Sequence, residues 1–342
     1  MFGVLTAVAA IISFAVTFFS GYIIIPLMHK LKYGQTILEI GPKWHKNKQG
    51  TPTMGGIMFI AGIAVSLFVS LPLVNVLGSD SLRSQFADRY TLTAFISGLG
   101  LALSMSLIGF IDDYIKVVKK RNLGLTAKQK TFMQLLVCAA YLTSMYLGGM
   151  TFTKIPFIGV VDITQGVGLL FWPIALVFIY GFTNAVNLTD GIDGLASSVT
   201  IVAAVFFALI ASLATVNRTL CEFLSVVFAA ALLGFLIWNK NPAKVFMGDT
   251  GSMFLGGMVV ALVFMLEYPI ILIFAGVVYL CEAMSVVIQV AYYKKTHKRL
   301  FKMSPIHHHF ELSGWGEKKI DLVFSLVGAI GGLIAMALVV FG

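Results

Sequence analysis

The chain has 342 residues, 58% of them hydrophobic and only 11% charged, with a formal net charge of +9 and a mean hydropathy of +0.93. A soluble globular domain carries about 25% charged residues, so this composition excludes one and indicates an integral membrane protein. The length is therefore expected to form a single polytopic membrane domain over 1–342, because in lipid the unit is the spanning segment.

Runs of about twenty residues with few charges predict an all-α fold of ten transmembrane helices. They lie at 4–28, 54–77, 91–111, 131–149, 168–186, 196–215, 221–238, 252–266, 269–293 and 321–341. The first, within MFGVLTAVAAIISFAVTFFSGYIIIPLM, is too long and apolar for a signal peptide and lacks a basic leader and a cleavage site. Between the fourth and fifth spans, TFTKIPFIGVVDITQGV (151–167) mixes short β-branched runs with Pro and Gly and is expected to form a small β-hairpin. The eighth and ninth spans are separated only by Glu267 and Tyr268. Their combined length of about forty residues and Pro269 at a helix start favour a helical hairpin there. Cys138, Cys221 and Cys281 lie in or beside apolar segments without metal-ligand spacing and read as packing residues.

Ten spans place both termini on one side and divide the loops into two sets. Loops 29–53, 112–130, 187–195, 239–251 and 294–320 hold twenty of the 24 Lys and Arg; the other set holds Arg83, Arg89, Lys154 and Arg218. The positive-inside rule makes the first set cytoplasmic and both termini extracytoplasmic. The net positive charge then needs no nucleic-acid partner: it reflects topology and anionic lipid, or attraction of an anionic substrate to the cytoplasmic face.

The unusual polar clusters all fall in the cytoplasmic set. In FIDDYIKVVKKRNLGLTAKQK, Asp112 and Asp113 end an apolar run. Neighbours on a helix point about 100° apart, so one is expected to face a metal or phosphate and the other a lysine or a supporting group. The bland alternative is a pair of solvated helix-end charges with Lys116 nearby. In NLTDGIDGLA, Asn187, Asp190 and Asp193 recur every third residue, which would place them near one helix face, while Gly191 and Gly194 allow close approach. A helix cap would account for one of the three. KVFMGDTGS sets Asp249 between glycines before a span, either as a turn with an N-cap or, beside the other carboxylates, as a hard oxygen site suited to Mg²⁺. His307, His308 and His309 are adjacent, which does not suit zinc; phosphate or hydroxyl contact is expected, with a basic interfacial loop as the alternative.

Carboxylates for a metal, cations for phosphate and a membrane location suggest phosphoryl chemistry between a nucleotide-linked donor and a lipid acceptor. The GxxxxGK[ST] signature of ATP-driven transport is absent, and the carboxylates gather at one face rather than mid-span, Glu282 excepted.

DDYIK, NLTDGIDGLA, VFMGDTGS and especially SPIHHHFELSGW together closely resemble the phospho-N-acetylmuramoyl-pentapeptide transferase family of bacterial peptidoglycan synthesis. The aspartate doublet and NxxDGxDGL mark only the wider polyprenyl-phosphate hexosamine-1-phosphate transferase superfamily. PIHHHFELSGW is the more specific label, and the likeness covers the whole chain, including KNKQGTPTMGG at 46–56. The resemblance implies a ten-span homodimer in the bacterial cytoplasmic membrane, with its active site facing the cytoplasm. It implies Mg²⁺-dependent transfer from UDP-N-acetylmuramoyl-pentapeptide to undecaprenyl phosphate, giving lipid I and UMP. It further implies that Asp112, Asp113 and Asp249 are catalytic, with Asp249, and secondarily Asp112, as metal ligands. Asn187, Asp190, Asp193 and Phe246 would line the nucleoside and diphosphate pocket, and His307, His308 and His309 would bind donor. Lys48, Lys116, Lys120, Lys128, Asn239 and Gln289 join the substrate site by their position near the motifs. Two other readings stand beside this one: a related transferase using a UDP-N-acetylhexosamine without peptide, and a multispan transporter.

Overall fold

A computed structural model describes residues 3–30, 48, 50–119, 123–213 and 215–342. Lys120 and the whole stretch 31–47 lie outside the described residues. The helices are α1 (Val4–Lys30), α2 (Gly56–Ser70), α3 (Val74–Leu77), α4 (Asp80–Ala87), α5 (Arg89–Val118), α6 (Ala127–Leu147) and α7 (Phe171–Thr189). They continue with α8 (Leu195–Ser212), α9 (Thr219–Asn239), α10 (Gly248–Met265), α11 (Leu272–Ala275), α12 (Val277–Thr296), α13 (Ile306–Glu311) and α14 (Glu317–Phe341).

Among the described residues each expected span is built on a helix, as it must be where no water is present to satisfy backbone amides. Among the described residues nine helical segments are long and apolar enough to cross a membrane. The remaining expected span, the fourth at 131–149, is helix α6, but Lys130 in its first turn and Gln134, Thr143 and Ser144 further along lower its hydropathy, and it is not among the nine. The expected break at Glu267 and Tyr268 is present: α10 ends at Met265, and a 3-10 turn from Pro269 leads through α11 into α12. The outer hairpin also forms, with β1 (Phe152–Ile155) antiparallel to β2 (Gly159–Asp162) and Ile155 opposite Gly159.

Helix α10 is the axis of the bundle. It packs against α2, α5, α7, α8 and α9, and nearly nine-tenths of its apolar stretch is buried, whereas α1, α7, α12 and α14 leave most of theirs on the outside. The α5 and α10 backbones approach closely because small residues face each other. A Cβ added at Gly109 would sit 2.1 Å from the Asp249 carbonyl oxygen, and one at Gly257 would sit 2.7 Å from the Ala102 Cα. Between membrane helices, where apolar burial from water gives no drive, such contacts and hydroxyl bonds supply the association. Ser106 donates to the Thr250 carbonyl across this seam at 2.9 Å.

Candidate active site

The tight α5–α10 seam brings together carboxylates that are remote in sequence. Hydropathy ended the third span at 111, but α5 continues to Val118, so Asp112 and Asp113 stand within a helix and not in a loop. Both are only 4% exposed. Asp249 likewise lies in the first turn of α10, where a helix N-terminus favours an anion. One oxygen from each of the three lies within 4.8 Å of the others.

Their surroundings divide the labour. Asp113 Oδ2 accepts from the Thr250 amide at 2.9 Å and its hydroxyl at 2.8 Å. Asp112 Oδ1 accepts from the Leu125 amide at 2.7 Å. Lys116 lies among all three carboxylates: its Nζ is 2.6 Å from Asp112 Oδ2, 3.0 Å from Asp249 Oδ2 and 3.8 Å from Asp113 Oδ1. Lys130, from the first turns of α6, reaches Asp249 Oδ2 at 3.0 Å. Asn187 Nδ2, near the end of α7, donates to Asp249 Oδ1 at 3.0 Å and to Ser252 Oγ at 2.7 Å. A set of hard carboxylate oxygens around a point already held by an ammonium fits a small divalent cation of the Mg²⁺ type. Asp112, Asp113 and Asp249 are the residues that would hold it.

The loop before α10 is braced from the other side. The Phe246 amide donates to the Pro52 carbonyl and the Gly55 amide to the Phe246 carbonyl, both at 2.8 Å, so TPTMGG and VFMG run paired. Gly248 has φ +69°, and a Cβ there would lie 2.6 Å from Asp113 Oδ2 and 2.7 Å from Thr53 Oγ1. Only glycine suits that position.

The three-residue spacing of Asn187, Asp190 and Asp193 does not lie on one helix face. Helix α7 stops at Thr189, and Gly194 at φ +84° turns the chain into α8. Asn187 faces Asp249, while Asp193, 2% exposed, accepts from Lys48 Nζ at 2.7 Å, Asn241 Nδ2 at 3.2 Å and the Ala243 amide at 2.9 Å. Glu317 joins this second network through Lys48 at 2.6 Å. Asp190 lies between the two groups. Burial pushes its carboxyl well above the usual carboxylate range, and the charges of Asp249, Asp113 and Asp193 push it further.

The remaining expected residues take different places. His307 is fully buried with Nδ1 3.0 Å from Glu282 Oε2, whereas His308 and His309 are partly exposed. Asn239 braces the 240–247 loop, donating to the Val245 carbonyl and accepting from the Ser197 hydroxyl, both at 3.0 Å. Gln289 holds the loop after α12: its Oε1 accepts from the Leu300 amide at 3.1 Å and the Phe301 amide at 2.9 Å. Phe246 is partly buried in the paired segment, and Lys128 lies exposed on α6. The cation that α6 sends to the cluster is Lys130, which sequence reasoning missed. The signal was the capping box of Thr126 and Gln129, which fixes where the helix begins and thus which lysine turns inward. Thr250 and Glu317 were missed as well, their partners being distant in sequence.

A bundle of membrane helices with a lysine-bridged carboxylate cluster at one end defines an integral membrane transferase of phosphorylated groups. Comparison with known proteins supports this class: Glycosyl transferase family 4 matches residues 95–267, and the phospho-N-acetylmuramoyl-pentapeptide-transferase signature 1 matches residues 48–60. A phospho-N-acetylmuramoyl-pentapeptide-transferase of Staphylococcus carnosus is 44% identical over 338 residues, covering 96% of this chain and 98% of the relative. The proteins of that name from Clostridium novyi and Acetivibrio thermocellus are 44% and 45% identical, covering 95% and 92% of this chain and 94% and 89% of the relatives. The chain belongs to the phospho-N-acetylmuramoyl-pentapeptide-transferase family.

Proposed function

We propose that this enzyme transfers phospho-N-acetylmuramoyl-pentapeptide from its UDP donor to undecaprenyl phosphate, giving lipid I and UMP in a bacterial cytoplasmic membrane. The observation that carries the reading is the meeting of Asp112, Asp113 and Asp249 with Lys116 and Lys130, in a chain that matches this family along its length. An oxygen of the lipid phosphate attacks the β-phosphorus of the donor. The bond from that phosphorus to the bridging oxygen breaks, and UMP leaves with the electron pair.

A phosphate monoester has a second pKa near 6, so much of the acceptor is already dianionic at neutral pH and a general base has little proton to remove. Asp112 and Asp113 accordingly act by placing charge, and only secondarily as a base. Asp249 and Asp112, with Asp113 beside them, would hold Mg²⁺, which when bound would neutralise charge on the diphosphate. Lys116 and Lys130 offset repulsion between the two anionic substrates and stabilise charge on the departing nucleotide. Asn187, Asp190, Asp193 and Phe246 face the nucleoside and diphosphate, with the histidine loop and Lys48 toward the donor. The ten-helix arrangement, with both termini extracytoplasmic and the active-site loops cytoplasmic, and a homodimeric assembly belong to the same reading.

The test is turnover by purified protein in detergent with undecaprenyl phosphate, Mg²⁺ and either UDP-N-acetylmuramoyl-pentapeptide or UDP-N-acetylglucosamine, following UMP. Release from the muramoyl donor only, abolished by EDTA, is expected. Release from the second donor instead would favour the related hexosamine transferase, and release from neither by folded protein would favour a transporter.

A further inference from the structure

Outside the aspartate cluster, Glu282 and His307 form a fully enclosed pair of titratable side chains. Glu282 lies six residues into α12, His307 is the second residue of α13, and both are 0% exposed. The ring Nδ1 is 3.0 Å from Glu282 Oε2, and since a carboxylate accepts, Nδ1–H donates to it. The other polar atoms of the pair, Glu282 Oε1 and His307 Nε2, have no hydrogen-bond partner among the described residues. Leaving such atoms buried without a partner forfeits their hydration, so the fold keeps the pair in place against a penalty.

The free edge of the ring faces one particular loop. A Cβ built on Gly191 would lie 2.2 Å from His307 Nε2 and 2.5 Å from Cε1. The imidazole thus stands directly beneath the turn that carries Asp190 and Asp193, and Gly191 is the residue that lets the turn close on it. His308 and His309 are partly exposed on the same short helix, with His308 Nδ1 2.6 Å from Glu311 Oε2. A ring with no exposed surface cannot meet a donor in this arrangement. It can set the position of the loop that does.

We propose that Glu282 and His307 form a strut from the interior of the bundle to the 190–194 loop, and that both are positioning residues of the donor site. Direct contact with the donor then falls to His308 and His309 within the triplet. The proposal rests on the transferase reading above and deepens it. Glu282 fixes the plane and tautomer of the ring, the ring supports Gly191, and Gly191 fixes the height of Asp190 over the aspartate cluster.

The experiment is steady-state kinetics of full-length E282A, E282Q, H307A, E282A/H307A and G191A in detergent, varying donor and acceptor in turn, with UDP affinity measured calorimetrically. E282A, H307A and G191A should each raise the donor KM tenfold to about a hundredfold, the scale of a site displaced by about 1 Å, while the acceptor KM stays within about twofold. UDP affinity should fall in parallel. The double variant should be no worse than H307A, because Glu282 acts through the ring, and E282Q, which keeps an acceptor for Nδ1–H, should recover most of the loss. Additive losses, a lowered kcat at unchanged donor KM, or E282A with wild-type kinetics would each overturn the strut. If E282A does not fold, G191A decides: an unchanged donor KM overturns the proposal. Wild-type protein releasing no UMP would sink the transferase reading alone, and UDP binding by E282A and G191A would still decide the strut.

Discussion

Lys116 holds three carboxylates that would otherwise repel one another, with its own side chain 33% exposed. Replacing it by alanine should destabilise metal-free protein by about 1–3 kcal/mol, less than a fully buried pair because of that exposure. Mg²⁺ should then raise the melting temperature of K116A by more than it raises that of the wild type. Equal responses in a chelator titration would show that the ammonium and the metal do not share one site. Asp190 gives a second prediction with a defined sign. Its folded-state value is raised by burial and by Asp249, Asp113 and Asp193, so folding favours the neutral acid. Stability is then undiminished below the unfolded value of about 3.9 and declines as pH rises above it. In EDTA, D190N should be more stable than wild type at pH 7 and nearly equal at pH 4, while losing transferase activity. Identical denaturation curves at both pH values would contradict the assignment. At this scale the sequence disclosed residue types, and it could not disclose partners. The doublet at 112 and 113 was conspicuous because lipid penalises it, whereas Lys130 and Lys128 look alike until the helix start is known.

At the scale of elements, apolar run length located the helices well because bilayer thickness sets that length. It misplaced their ends where they matter most. Asp112, Asp113 and Asp249 are polar residues carried on helices, and a hydropathy window stops at the first of them. At the end of α7 the hydropathy limit of 186 fell three residues short of Thr189, and the helix face that the spacing of Asn187, Asp190 and Asp193 would have made is cut off there. The seam between α5 and α10 offers a direct check on what positions the cluster. Gly109→Ala would place a methyl 2.1 Å from the Asp249 carbonyl oxygen. The helices must separate, at a cost of about 1–3 kcal/mol, and turnover should fall by about a hundredfold. Gly100→Ala on the same helix meets nothing within 4 Å and should leave both unchanged. If the two variants behaved alike, close approach at Gly109 would not be what fixes Asp249.

For the whole molecule, charge counting led to an orientation that cysteine labelling can test. In a background lacking Cys138, Cys221 and Cys281, T164C, just after β2 in the same outer loop, should react with an impermeant maleimide in intact cells. K298C, in the loop after α12, should react only after permeabilisation. The reverse pattern would invert the proposed topology. The convergence of five distant loops was legible only as a shared side, since contacts such as Lys48 with Asp193 and Phe246 with Pro52 require the folded bundle. The enclosure of α10 has a mechanical consequence. The helix bearing Asp249 meets other helices along nearly all its length, while α1, α7, α12 and α14 meet the surroundings. A change in bilayer thickness is therefore absorbed as tilt by the outer helices, and reaches Asp249 only after passing through a layer of packed protein. Turnover should be insensitive to acyl-chain length over a range that visibly tilts the rim, leaving the helix that carries Asp249 mechanically insulated from its own membrane.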